Sequence, residues 1–495
     1  MHNRVIEILG QLRAQGVDVG NLCVDSRTLQ PGEVFLAYPG QTQDGRRHIA
    51  GAIAAGAAAI LWERAGFDWN DGWRLPNLPV DGLRTLAGHV AHEVYGRPSE
   101  KLWVMGVTGT NGKTSCSQWL AEGCGACGAR TAVIGTLGIG FPGALVPNPN
   151  TTPEAVTLHR SLDRLLSEGA QGAVMEVSSI GLDQERTNGV RFGAALFTNL
   201  SRDHLEYHGD MERYAQAKQI LFRSPGLRHA VVNMDDVQGV SIARMLVGSD
   251  VIRTGYSCFD GTAKRSGLEQ YVEAHDVITS VRGIAFTVRS SWGEARIESR
   301  LLGRFNISNL LGVLATMMVS GVPFERASGV LGTLVPVAGR LERVGGGARP
   351  LIVVDYAHSP DALDKVAQVL RDLAAAQSGR LCVVFGCGGD RDRGKRPLMG
   401  TVASRYADRI FVTSDNPRGE DPDAIIAEIK AGITIAHDAI ADRRAAIAAA
   451  VAWARAGDVV LIAGKGHETH QESGGEKLPF SDVREAELAL DRWAP

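Results

Sequence analysis

The string GVTGTNGKT at residues 106–114 carries the residue types best suited to chemistry in this chain. Its glycines, Gly106, Gly109 and Gly112, let backbone N–H groups approach phosphate oxygens, and the helix expected to start there favours negative charge. Lys113 is positioned to neutralise β- and γ-phosphates, and the Thr114 hydroxyl to bind magnesium. The strict G-x-x-x-x-G-K-T template wants glycine where this chain has Val107, so the loop is a variant that keeps the physical requirements. No N-K-x-D string for reading guanine occurs, so ATP is the expected nucleotide.

Glu176 closes the apolar run VMEVSS and should emerge beside that loop. A carboxylate there holds magnesium directly or through water; a capping or ion-paired glutamate is the plainer alternative. Asp203, His204 and His208 follow the next strand, where a histidine is as much a candidate ligand as a structural residue. Lys218, within YAQAKQILF, reads by itself as a solvated lysine on a helix. Cys124 and Cys127 form a lone C-x-x-C with no second pair at metal spacing, which points to small buried thiols at a helix end.

The elements that must position these groups alternate. Residues 1–98 read as a small α/β unit, with strands at 34–37 and 58–61, a helix over 46–58 and a linker at RPSEKL (97–102). Short apolar β-branched runs at 102–109, 131–138, 172–179, 194–200 and 229–235 are separated mostly by helices, the rhythm of a parallel sheet covered on both faces. Residues 250–300 break the rhythm and predict short antiparallel strands; a helix from about Asn306 closes the block. From about 339 the alternation restarts at 350–360, 380–392, 409–421 and 458–468, each an apolar strand running into a polar loop. Parallel sheets bind ligands at the carboxyl ends of their strands, so these four loops should share one rim.

The 495 residues suggest about three domains. The fold class is therefore α/β: a small N-terminal α/β domain (1–98), a central P-loop ATPase domain with a mostly parallel sheet (99–338), and a C-terminal Rossmann-like α/β domain (339–495). A net charge of -3 argues against a nucleic-acid binder built on bulk basic charge. Seven sparse cysteines do not read as a secreted disulfide framework, and neither a signal peptide nor a membrane span is evident. A cytoplasmic monomer is expected.

Together the strings TGTNGKT, NTTP, MEVSS, FTNLSRDHLEYHGD, YAQAK, GRFNISN, AGRLE, DYAHSPD, GCGGDRDRGKRP, DNPRGE and GKGHE occur in an order that resembles the Mur ligase family, the ATP-dependent amino-acid-adding enzymes of peptidoglycan synthesis. The likeness spans essentially the whole chain and is strongest to the members that add meso-2,6-diaminopimelate to UDP-N-acetylmuramoyl-L-alanyl-D-glutamate.

The resemblance implies roles. Gly109, Thr110, Asn111, Gly112, Lys113 and Thr114 would bind ATP, with Asn306, Arg340, Asp355 and His358 completing the nucleotide site. Thr114, Glu176 and His204 would hold magnesium, joined by Lys218, which resembles the lysine that this family carbamylates. Lys113, Glu176, His204 and Lys218 would be the catalytic set. Val24, Ser26, Gln41, Thr42, Gln43, Asn150, Thr151, Thr152, Ser178, Gln184 and Arg186 match positions that bind the nucleotide-sugar dipeptide. Asp415, Asn416, Pro417, Arg418, Arg391, Gly464 and Glu468 match contacts to diaminopimelate, whose extra carboxylate suits the planar fork of Arg418. The family string usually reads E-V-S-S-H, and here Ile180 stands last, for which only a local packing change is expected.

The implied reaction runs through an acyl phosphate, and it predicts closure of the C-terminal domain on binding. Three rival readings are weaker. Folylpolyglutamate synthase gives no reason for residues 1–98, a lysine-adding relative none for Arg418, and a P-loop switch none for the four C-terminal loops.

Overall fold

The computed structural model describes residues 1–41 and 43–494. Three sheets follow one another along the chain. The first is parallel, β1 (Leu22–Cys23), β2 (Val34–Ala37), β3 (Ala59–Glu63) and β4 (Asn77–Val80), in sequence order. The expected helix over 46–58 is a 3-10 turn, Gly45–His48, running into the short helix Ile49–Ala54. The RPSEKL segment holds a turn of helix, Pro98–Lys101, opened by the fixed φ of proline at its first position.

The central sheet comprises β5 (Trp103–Thr108), β6 (Thr131–Gly135), β7 (Gly138–Phe141), β8 (Ala144–Val146), β9 (Gly172–Glu176), β10 (Ala194–Phe197), β11 (His229–Asn233), β12 (Ile252–Ser257), β13 (Gln270–Ser280), β14 (Gly283–Ser290) and β15 (Gly293–Ser299). Their order is β15-β14-β13-β12-β11-β10-β5-β9-β6-β7-β8. Strands β12 and β13 extend the parallel part, and only β13-β14-β15 and β6-β7-β8 are antiparallel. The expectation of short antiparallel strands over 250–300 therefore holds only for the meander β13 to β15, whose strands are long. Alternation along them, as in Gly293–Ser299, reflects one solvated face. Buried helices cover both faces of the parallel part. The helix expected from about Asn306 is Arg304–Val319, apolar nearly all round and lying in the core. Among the described residues no helix is long and apolar enough to cross a membrane.

The third sheet is β16 (Glu342–Gly345), β17 (Leu351–Asp355), β18 (Leu381–Phe385), β19 (Arg409–Val412), β20 (His437–Ala439) and β21 (Val459–Ala463), in the order β16-β17-β21-β18-β19-β20. Only β16 is antiparallel. A hairpin, β22 (His470–Ser473) and β23 (Glu476–Pro479), follows.

These orders decide what meets. Strand β5 lies between β10 and β9, so the phosphate loop, Glu176 and the segment after Phe197 emerge side by side at one carboxyl edge. Strands β17, β21, β18 and β19 are likewise adjacent, so their four polar loops form one rim, as the alternation predicted.

Candidate active site

The helix Lys113–Ala126 begins at Gly112, in a left-handed conformation, with no side-chain cap. Its first N–H groups therefore stay available to an anion. Gly109 has φ +149°, and a Cβ there would sit 1.9 Å from Thr198 Oγ1, so only glycine lets the loop lie this close to β10. Lys113 Nζ donates to the carbonyls of Gly109 and Thr110 at 2.8 and 2.9 Å, folding back over the cradle a phosphate would fill. Burial pushes this ammonium below the ordinary lysine range, while Glu176 and Asp203 oppose the shift.

Glu176 is fully buried at the end of β9. It accepts from Thr114 Oγ1 at 2.9 Å, Thr136 Oγ1 at 3.0 Å and the Thr136 backbone N–H at 2.9 Å. A buried carboxylate beside a loop hydroxyl is a hard-oxygen donor pair. That pair fits magnesium, which binds through one or two carboxylates together with substrate phosphates and water.

Lys218 is not solvated. It is 1% exposed on the helix Met211–Phe222, donates to the Gly109 carbonyl at 2.9 Å and lies 4.5 Å from the centre of the Tyr214 ring. Burial, and then the charge of Lys113, push it well below the ordinary lysine range. His204 has φ +54° and presents a partly exposed imidazole 3.5 Å from Asp203 and 3.8 Å from Glu206. His208 is structural, bonded to Ser179 Oγ at 3.0 Å.

The C-terminal segment reaches this edge. Arg340 donates to Thr114 Oγ1 at 3.2 Å and stacks over Tyr356. His358 Nε2 lies 3.4 Å from Asp203, whose carboxyl the His358 imidazole and its neighbours hold well below the usual range against the effect of burial. Asn111 donates to Asp361 at 3.0 Å, and Arg202 pairs with Asp392 at 3.0 Å. Asp355 spends both oxygens on the N–H groups of Leu341 and Ala357, at 2.8 Å each, and so shapes the two loops that carry Arg340 and His358. Asn306 and Asn309 bond to each other at 3.1 Å behind Gly112. A cavity of about 1280 Å³ runs between the sheets and is lined by the phosphate loop, Glu176, His204, Asn306, Arg340 and Arg391, among others. Ile180 turns an apolar side chain into it.

Asn150, Thr151, Ser178 and Arg186 line the same cavity. Thr152 is buried beside them, donating to the Glu176 carbonyl at 2.9 Å. Arg186 donates to the Thr152 carbonyl at 2.9 Å and to Gln184 Oε1 at 3.0 Å, and Gln184 donates to Gln41 at 2.9 Å. That chain ties the first sheet to the central one. Val24 and Ser26 follow β1 at its carboxyl end, outside the cavity, as is Gln43. Thr42 lies outside the described residues.

Asp415, Asn416, Pro417, Arg418, Gly464 and Glu468 also lie outside the cavity, on the adjoining rim; Arg391 belongs to both. Arg391 and Arg418 flank Gly388, and Arg418 Nη1 donates to the Gly389 carbonyl at 2.8 Å. Its Nε faces Glu472 at 3.6 Å. Gly464 has φ +119°, and a Cβ on it would meet Asp415 Oδ2 at 2.4 Å.

Four side chains escaped the sequence reading. Thr136 completes the Glu176 cage, and Tyr207 joins Gln41 to Asp183, accepting at 2.5 Å and donating at 2.6 Å. Arg443 and Asp482, both fully buried, form a bidentate pair at 2.7 Å beneath β19 and β21. Tyr207 sits inside the noted string after β10; the other three stand in stretches whose residue types carry no signal apart from their partners.

Residues 18–95 match the Mur ligase family catalytic domain, 107–317 the Mur ligase middle domain and 339–466 the Mur ligase glutamate ligase domain. The chain is 49% identical over 485 residues to a Chromobacterium violaceum protein named UDP-N-acetylmuramoyl-L-alanyl-D-glutamate–2,6-diaminopimelate ligase, covering 97% of this chain and 96% of that one. It is 47% identical over 478 residues to the protein of the same name from Nitrosomonas europaea, covering 94% and 92%. A solved structure of a ligase of that name superposes with a TM-score of 0.66 at 37% identity, covering 96% of this chain and 95% of the other. A phosphate loop caged with Glu176, a C-terminal rim of polar loops and these matches lead to one conclusion: the chain belongs to the Mur ligase family.

Proposed function

We propose that the protein is an ATP-dependent amide-bond-forming ligase that adds meso-2,6-diaminopimelate to UDP-N-acetylmuramoyl-L-alanyl-D-glutamate, a step of peptidoglycan precursor synthesis in the cytoplasm, releasing ADP and phosphate. The observation that carries this reading is Arg391, which lines the phosphate-loop cavity and also flanks Gly388 with Arg418, joining a nucleotide site to a rim able to take a carboxylate. Near-full-length identity to ligases of that name supports it.

In the first step the D-glutamate carboxylate attacks the γ-phosphorus of ATP and ADP leaves, giving an acyl phosphate. Two anions must approach, and Lys113, Arg340 and the free N–H groups of the loop offset that repulsion. Thr114, Glu176 and His204 would hold magnesium, and a carbamylated Lys218 would support a second ion; when bound, magnesium neutralises developing phosphate charge. In the second step the diaminopimelate amine attacks the acyl carbon, phosphate leaves and an amide remains. Thr152, Ser178, Gln184 and Arg186 are assigned to the dipeptide, and Arg418, Arg391 and Glu468 to the incoming amino acid's carboxylate and ammonium groups. Positioning meets much of the barrier.

The test is a competition. Purified protein given ATP, the nucleotide dipeptide and equal lysine and diaminopimelate should yield the diaminopimelate product by mass spectrometry, with phosphate release requiring both acceptor and amine. Steady ATP hydrolysis without either substrate would overturn the ligase reading, and lysine incorporation would overturn the specificity.

A further inference from the structure

Lys465 follows β21 in the Gly464–Glu468 loop, and its side chain is fully buried. Its ammonium donates to Glu468 Oε2 at 2.7 Å and to Asn416 Oδ1 at 2.9 Å. Asn416 closes the triangle, donating from Nδ2 to Glu468 Oε2 at 2.8 Å. The same Asn416 Oδ1 accepts the backbone N–H of Glu472 at 2.9 Å, and Glu472 in turn faces Arg418 Nε at 3.6 Å and accepts the Arg418 backbone N–H at 3.1 Å. Asn416 thus spends both ends of its amide inside the protein, and one oxygen of Glu468 is taken while the other has no partner among the described residues.

We infer that Lys465 is a positioning residue for the amino-acid substrate, holding Glu468 and the Asp415–Arg418 loop in the arrangement that receives an ammonium and a carboxylate. This rests on the ligase reading above. The reason is the cost of a buried charge. An enclosed ammonium cannot give up Glu468 without leaving its charge uncompensated, nor Asn416 without losing a buried hydrogen bond, so the two loops and the hairpin β22–β23 are locked as one unit. Arg443 braces the unit from below, donating to the carbonyls of Ser414 and Ala463 at 3.2 and 3.0 Å, the residues just before Asp415 and Gly464. Glu468 is then a carboxylate held by one oxygen, with the other free to take the substrate ammonium.

Lys465→Met tests this by steady-state kinetics on the full chain. The expected result is a KM for diaminopimelate raised about tenfold or more, with KM for ATP and for the nucleotide dipeptide within about twofold of wild type. Discrimination against lysine should narrow in parallel, because the loop carrying Arg418 is released. Lys465→Gln, which keeps a donor toward Asn416, should recover part of the loss. Should Lys465→Met fail to give a cooperative thermal transition, Lys465→Gln carries the test by itself and must show a smaller rise in KM confined to diaminopimelate. Equal changes for all three substrates, or none, overturn the positioning role. A wild-type protein that does not incorporate diaminopimelate overturns the ligase reading and this inference with it.

Discussion

Lys113 and Lys218 donate to the same carbonyl oxygen, that of Gly109, at 2.8 and 2.9 Å. Burial of Lys218, and after it the charge of Lys113 on the same acceptor, disfavour its ammonium form. A neutral amine attacks carbon dioxide and releases a proton, forming a carbamate. The product is an anion, which the neighbouring Lys113 would favour rather than repel. Lys218→Ala should therefore lower kcat by about 100-fold or more, with partial recovery on adding a short carboxylic acid. Wild-type rates in the variant would reject the carbamate.

Arg418→Ala should fall hardest on diaminopimelate. A charge-assisted hydrogen bond is worth about 1.5–3 kcal/mol, so kcat/KM for the amino acid should drop about 10- to 100-fold while KM for ATP moves less than about twofold. Arg418→Lys should not restore it, since a point charge cannot reproduce the planar fork. Equal losses for both substrates would remove the assigned role.

Thr114 Oγ1 is shared between Glu176 at 2.9 Å and Arg340 at 3.2 Å. Thr114→Val keeps the shape and deletes the oxygen. Activity titrated against magnesium should need a higher concentration for half-maximal rate, and kcat should fall by about 100-fold. An unchanged titration midpoint would take Thr114 out of the metal site.

Acid should destabilise the protein before its carboxylates titrate. Burial pushes His159 down to about 3, and its ring stands 5.3 Å from that of His92, also lowered by burial. Between about pH 6.5, where an unfolded histidine takes its proton, and about 3, the unfolded chain binds a proton that folded His159 refuses. Stability is therefore fully present above that window and falls as pH falls through it, by up to about 1.4 kcal/mol per pH unit for one such group. Urea titrations of His159→Gln should show a shallower acid slope than wild type; parallel slopes would assign the loss elsewhere.

The Arg443–Asp482 pair is enclosed on all sides, so removing one partner strands the other charge. Asp482→Asn should cost about 3–5 kcal/mol by denaturant unfolding, and the Arg443→Met, Asp482→Leu double variant should recover much of that. A double variant as unstable as the single one would point to lost packing instead.

Much of the site was legible because chemistry and strand ends coincide. GVTGTNGKT, MEVSS and the four C-terminal loops each follow an apolar run, and the sheet orders bring them to the expected edges. Lys218 shows where reading from residue type failed. Its helix carries polar neighbours, such as Gln216 and Gln219, that look solvated, yet it points under the phosphate loop. Only the crossing of β5 between β9 and β10 puts Gly109 above it. Strand β12 departed from expectation for a different reason: the break in rhythm after 250 suggested antiparallel pairing throughout, whereas β12 lies parallel to β11 and β13 and only the meander from β13 to β15 is antiparallel.

By itself the sequence determined the class of chemistry, because a glycine-rich loop with Lys113 and Thr114 needs only local backbone geometry to cradle phosphate. Family order in eleven strings did the same for the domains' expected tasks. Tertiary structure decided the protonation bias of Lys218, the cage of Thr136 about Glu176, and the Lys465–Asn416–Glu468 triangle. Each depends on burial and on partners from distant strands, and neither desolvation nor a hydrogen bond across a sheet is a property of any one stretch of chain.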